Sequence, residues 1–192
     1  MKMQSDTARA YQMKMYVKDT IVVAPEELEK KYVARFNELV DDAEIFADIK
    51  TEEGRRRHFH VISEGGHLGP GTKITTPHHF HISYLEVPPG SNATLHAHDL
   101  PEIFIPMTGK FAIIYGDQGE HSIELNPLDT ISVPSGLMRT FKNVGITTGI
   151  IMVIYDGSGD VLGKVFVNPE TAEQIRSKTP DIAREYGLMD PK

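Results

Sequence analysis

His96 and His98 stand one residue apart in the stretch GSNATLHAHDLPEIFIPMTG, which runs from Gly90 to Gly109, and Glu102 follows four residues after the second histidine. Side chains of an extended strand alternate with period two, so both imidazoles fall on one face and can converge. The Asp99-Leu100-Pro101 segment can turn the chain, so that Glu102 at the start of the next strand points into the same space. Two neutral imidazoles and a carboxylate suit a divalent transition metal with open positions for water, oxygen or substrate; iron is the first candidate, with manganese, nickel, copper or zinc as alternatives. A histidine pair alone carries little weight. A surface H-x-H arises often by chance, as His58 and His60 illustrate in this chain.

The surrounding glycines make the pattern specific. Gly90, five residues, His96, one residue, His98, three residues, Glu102, six residues, Gly109 resembles the first signature of the cupin superfamily at every position. The resemblance covers roughly residues 80–155 and implies an all-β fold, the double-stranded β-helix or jelly-roll-like barrel, with its metal or ligand site inside. The family's second signature is matched less fully by Leu128, Pro134, Gly136, Arg139 and Asn143. Leucine replaces a glycine there, which predicts a turn built differently, with Asn126-Pro127 supplying it. Arginine replaces the histidine that the resemblance makes the fourth metal ligand.

A guanidinium has no lone pair to offer and stays protonated, so Arg139 cannot be a ligand. Three outcomes are open. A metal is retained on His96, His98 and Glu102, with Arg139 binding a substrate anion in bidentate fashion. Alternatively, Arg139 pairs with Glu102 and displaces the metal, because guanidinium and cation compete for one carboxylate. In the third, His79 or His81, which share a face of the strand leading to Gly90, completes the coordination. For His78, His79, His81, His58, His60, His67 and His121 individually, solvated or hydrogen-bonded histidine is the expectation.

Phe104 shares parity with Glu102, and Met107, Phe111, Phe141, Tyr155 and His81 join it as candidate pocket residues, although core filling is the preferred reading of each aromatic. A largely apolar cavity with one arginine and one metal suits a small organic, often aromatic, acid. The expected function is a metal-dependent, dioxygenase-like oxidoreductase, with Arg139 orienting the anion and Tyr155 available for acid–base work. An isomerase or lyase using the metal as a Lewis acid, and a metal-free ligand-binding barrel with Arg139 paired to Glu102, are the alternatives. Fold does not decide among them.

These residues need a scaffold, and 192 residues with 40% apolar content suit one domain. The net charge of −7 disfavours a nucleic-acid footprint, and the only basic run, Arg55-Arg56-Arg57, reads as a solvated strand edge or loop. No cysteine is present, which excludes thiolate chemistry. No apolar run approaches membrane-spanning length, and no signal-peptide pattern opens the chain, so a cytoplasmic location is expected. Residues 1–24, with Met1, Met3, Met13 and Met15, read as a loose or partner-packed segment. Residues 25–58 read as a helical extension: Leu28, Tyr32, Val33, Phe36, Leu39 and Val40 recur at helical spacing behind Pro25. Short strands with frequent turns over 59–167 make the barrel. Residues 168–192 carry two short helices, announced by Asn168-Pro169-Glu170 and Thr179-Pro180-Asp181 and closed by Gly187. The glycine-rich segment Gly65–Lys73 fails as a phosphate loop, since Thr72 separates Gly71 from Lys73 and Pro70 lacks a donor; it reads as a mobile loop over the barrel mouth. A homodimer contacting through the N-terminal helix is expected, with a small anionic molecule as the other partner and no nucleic acid or membrane.

Overall fold

The computed structural model describes residues 15–64, 69, 71–156 and 164–189. The expectations for Met1, Met3, Met13 and the loop around His67 lie outside these residues. Ten strands occur in the described chain: β1 (Arg57–Ile62), β2 (Phe80–Val87), β3 (Ala97–His98), β4 (Glu102–Thr108), β5 (Phe111–Tyr115), β6 (His121–Leu125), β7 (Ile131–Val133), β8 (Arg139–Asn143), β9 (Gly149–Asp156) and β10 (Val165–Phe166). They pair antiparallel in a sheet ordered β1-β2-β9-β4-β7, a sheet ordered β6-β5-β8, and the small pair β10-β3. This is an all-β jelly-roll barrel with flanking helices.

The inward face follows from strand parity. Leu85 and Val87 on β2, Phe104 on β4, Phe111 and Ile113 on β5, and Ile151 and Val153 on β9 form one buried core. The same parity continues toward the other end of these strands, where the inward residues become polar: His81 and Ser83 on β2, Glu102 on β4 and Tyr155 on β9. One end of the barrel is therefore a hydrocarbon plug and the other a polar chamber.

The signature positions secure the turns. Gly109 holds φ +77°, and a side-chain carbon added there would lie 3.0 Å from the backbone of Gly149. Asn143 is structural: its side-chain amide donates to the carbonyls of Val87 at 2.7 Å and Thr147 at 2.9 Å. At the substituted glycine, Leu128 adopts φ +72°. Asn126-Pro127 do supply the turn, closed by the Asp129 N–H on the Asn126 carbonyl at 3.0 Å, with leucine in its left-handed position. The Leu128 N–H donates to the Pro106 carbonyl at 2.8 Å, and the Asp129 side chain accepts from the Asn126 N–H at 2.8 Å.

Outside the barrel the helices are shorter than periodicity suggests. The first, α1, spans only Pro25–Tyr32 and buries no residue. Val33 and Arg35 are extended, and Phe36 sits in a separate 3-10 turn with its ring 5.4 Å from that of Phe59 and 6.2 Å from that of Tyr84. The apolar spacing is split between a short exposed helix and a turn that sets Phe36 against the barrel, so one continuous helix does not form. Helix α2 (Pro169–Lys178) begins as anticipated, with the Asn168 side chain accepting from the Thr171 N–H at 2.8 Å, and Gly187 ends α3 (Pro180–Glu185) at φ +67°. Ile175 and Ile182 of this pair pack on Ala47 and Val167, which carries Tyr186 and Leu188 to the cavity described below. No described helix is long and apolar enough to cross a membrane.

Candidate functional site

Strand pairing assembles the chamber. His96 bridges Arg139 across the backbone, with Arg139 N–H donating to the His96 carbonyl at 2.8 Å, and the Gly136 N–H donates to the His98 carbonyl at 2.7 Å. The second signature therefore braces the first. Glu102 lies opposite Tyr155 in the β4-β9 ladder, and Tyr155 lies opposite His81 in the β2-β9 ladder. The His96, His98, Glu102, Arg139 and Tyr155 side chains line one cavity of about 290 Å³, which is otherwise mainly apolar.

The arrangement answers the question that Arg139 poses. Its Nε donates to Glu102 Oε2 at 2.9 Å, its Nη2 donates to the same oxygen, and its Nη1 donates to the His96 carbonyl at 3.0 Å. Both side chains of the pair are almost wholly buried, 2% and 4% exposed. Burial raises the Glu102 carboxyl above the ordinary range, while Arg139 and then the Tyr155 hydroxyl pull it back. Burial, followed by the Glu102 charge, pushes the Tyr155 phenol well above its usual value. The hydroxyl thus stays protonated and donates to Glu102.

The two histidines converge as the spacing predicts, with Nε2 atoms 3.2 Å apart. Nitrogens held about 2.0–2.1 Å from one cation at a tetrahedral angle lie roughly 3.3 Å apart, so this pair by itself matches a shared metal. The remaining donors do not. Glu102 is committed to Arg139, and His79 is exposed. His81 is buried on β2 and does not line the cavity. Among the described residues no group of three or more His, Cys, Asp or Glu is arranged to hold a metal. A guanidinium hydrogen-bonded to the third ligand also opposes a cation beside it. The residues in this arrangement do not fit a resident divalent metal, and the Arg139–Glu102 pairing that the second outcome requires is present.

Without a cation the histidine pair has defined tautomers. His96 Nδ1 lies 2.6 Å from the Thr94 carbonyl and must donate to it, which leaves a lone pair on Nε2. His98 then donates from its own Nε2. Burial, then the charge of Arg139, lowers the His96 imidazole to about 3, so it is neutral.

The other predicted pocket residues divide. Phe104, Phe141 and Tyr155 line the cavity. Met107 does not: it lies beyond the buried alternation at the end of β4 and is 39% exposed. Phe111 is also excluded, because it is fully buried in the hydrocarbon end beside Gly149. His81 sits in the wall next to His60 and away from the cavity surface.

Two expectations about β1 are corrected. Arg56 is buried, its Nη2 donating to Asp48 Oδ1 at 2.8 Å and its Nη1 to the Gly54 carbonyl at 2.8 Å. Only Arg55 and Arg57 of the basic run are solvated, with Arg57 paired to Glu86 and Asp41. His58 and His60, read as a chance surface pair, are 2% and 1% exposed. Arg56 and His58, together with Asp48, Phe46, Thr94 and Tyr186, complete the cavity wall that the motifs did not announce. Their shared parity in RRRHFH was a usable signal.

The buried histidines make an acid-stability prediction. Burial lowers His60 to about 4 from 6.5, and burial followed by His60 lowers His58 well below 6.5. The unfolded chain binds more protons in this window, so stability is full above about pH 6.5 and falls as pH drops toward 4. From pH 7 to pH 5, His60 alone is expected to cost about 2 kcal/mol in urea unfolding. The His60→Gln variant should show a visibly shallower loss. Equal stability of the wild type at both pH values contradicts neutral burial.

An antiparallel barrel with polar groups gathered inside one end defines a class, and comparison with solved structures shows which fold it shares. The chain is similar to the polyketide cyclase RemF from Streptomyces resistomycificus, with TM-score 0.51 and 13% identity over 80% of this chain and 96% of that one. It is similar also to a cupin 2 domain-containing protein from Halorhodospira halophila, with TM-score 0.49 and 18% identity over 74% and 88% of the two chains. A third likeness is to the DMSP lyase DddQ from Ruegeria pomeroyi DSS-3, with TM-score 0.46 and 20% identity over 59% of this chain; the match spans about half of that lyase, 52%. No protein-family model matches the chain, and no curated protein does. The chain has the fold of the cupin superfamily.

Proposed function

We propose that this chain is a cupin enzyme that carries out proton transfer on a small, largely apolar carbonyl compound, with Arg139 standing where other cupins hold a metal. The observation that supports this reading is the closed Arg139–Glu102 pair beside a histidine pair, His96 neutral, that faces a mainly apolar cavity. In it, His96 Nε2 accepts the proton once the ligand has displaced the His98 N–H that occupies its lone pair, and Thr94 fixes its tautomer. The low basicity of His96 in the empty cavity rises once a substrate carries developing negative charge beside it. Glu102, Arg139 and Tyr155 form the rigid floor, and their mutual neutralisation leaves the floor without net charge.

The metal-dependent dioxygenase reading keeps one observation in its favour, the 3.2 Å separation of the imidazole nitrogens. It requires Arg139 to leave Glu102. A single experiment separates the two. Enolisable aryl ketones and arylacetic acids are incubated with the protein in deuterated water, with NMR following exchange at the carbon next to the carbonyl. We expect exchange that a chelator leaves unchanged and that His96→Phe abolishes, without oxygen uptake. Oxygen uptake that a chelator stops would establish the dioxygenase instead, and no exchange across the panel rejects the proton-transfer reading.

A further inference from the structure

Joined to the histidine pair through Asp48 and Thr94, the cavity wall contains polar atoms that the fold does not satisfy. Arg56 spends Nη1 and Nη2 on Gly54 and Asp48, yet its Nε has no hydrogen-bond partner among the described residues. Neither ring nitrogen of His58 has one either. The Arg56 side chain is 3% exposed and His58 is 2% exposed, so bulk water does not satisfy them. A buried unpaired polar group costs about 1–3 kcal/mol, more if charged, and here three such atoms sit on Arg56, just before β1, and on His58 within it.

Their chemistry narrows what they receive. Arg56 Nε can only donate, and the neutral His58 ring supplies one further N–H. Asp48 is not available to compete: it takes Arg56 Nη2 on Oδ1, and the Thr94 N–H at 2.8 Å and hydroxyl at 3.1 Å on Oδ2. Beside both donors lies the Phe46 ring, stacked on His58 at 4.8 Å and 22°, with the Arg56 guanidinium carbon 5.1 Å from its centre. Donors set against an aromatic wall suit an acceptor oxygen attached to a flat apolar body. Arg139 supplies no such anchor, because it is already bonded to Glu102 and His96.

We infer that Arg56 Nε and the His58 ring form an oxygen-binding subsite for the carbonyl of a small aromatic or alicyclic ligand. That this ligand is the substrate rests on the proton-transfer reading above; the subsite does not. It gives the cavity a second polar contact, with the carbonyl held at Arg56 and His58 and the rest of the molecule lying over the apolar wall that also adjoins His96 and His98.

The test is equilibrium binding of acetophenone and of ethylbenzene, which has a similar shape without the oxygen, by titration calorimetry on the full chain. The wild type should bind acetophenone at least about tenfold more tightly than ethylbenzene, the factor that one charge-assisted hydrogen bond supplies. Arg56→Lys keeps a charge beside Asp48 but removes Nε, and His58→Leu removes both ring nitrogens. Each should erase the preference while leaving ethylbenzene binding within about twofold, which also reports an intact cavity. If His58→Leu does not fold, Arg56→Lys decides alone. A wild type that does not discriminate, or a preference that survives in the variants, overturns the subsite. Discrimination without deuterium exchange overturns the proton-transfer reading and leaves the subsite standing; exchange without discrimination does the reverse.

Discussion

Glu102→Gln should lower the unfolding free energy by about 3–5 kcal/mol, measured by urea denaturation at neutral pH. The reason is the pairing geometry. Arg139 and Glu102 are 2% and 4% exposed, and the arginine directs Nε and Nη2 to a single carboxylate oxygen. Glutamine keeps the shape but removes the charge, so the guanidinium is left in the barrel without a counter-ion. Tyr155 loses its charged acceptor in the same step. Replacing both partners, Glu102→Gln with Arg139→Met, should recover most of the loss, because a buried pair exchanged for apolar volume is often neutral or stabilising. A Glu102→Gln protein as stable as the wild type would show that the pair contributes nothing in solution.

The partition between what the sequence made legible and what it hid follows from strand parity. The first signature located His96, His98 and Glu102 and forecast their convergence, since its spacing fixes which side chains share a face. Strands β2 and β5 match their sequence bounds because turn residues flank them on both sides. β1 was hidden by the same rule that revealed the others. Arg56, His58 and His60 alternate with Arg57, Phe59 and Val61, and a polar face ordinarily meets water. Here Phe36 covers Phe59 on the outside, so the polar face turns into the barrel. Met107 and Phe111 were misplaced for a related reason: parity indicates which side a residue faces, not how far along the strand the cavity extends. The role of Arg139 was not legible either. Its position was known, but only packing decides whether a guanidinium reaches a ligand or a neighbouring carboxylate.

The second large effect concerns metal. Arg139→His should turn the chain into a metal-binding protein with about one equivalent of transition metal bound, because it frees Glu102 and adds a fourth donor to a histidine pair already set 3.2 Å apart. The gain should appear also as a melting temperature that rises with added zinc or manganese, as binding to the folded state alone requires. Adding Glu102→Gln in the same chain should weaken the metal about tenfold or more, since a charged donor is lost. The wild type's melting temperature should not respond at the same metal concentrations. These contrasts separate blockade by the guanidinium from a barrel that lacks metal-binding geometry for other reasons.

Arg139 takes the place of a cation by holding Glu102, and elemental analysis reads this out. Wild type and Arg139→His are purified without chelator, incubated with a mixture of iron, manganese, nickel, copper and zinc, and desalted. Less than about a tenth of an equivalent of any metal is expected in the wild type and about one in Arg139→His. About one equivalent in the wild type, lost on His96→Ala, would contradict it.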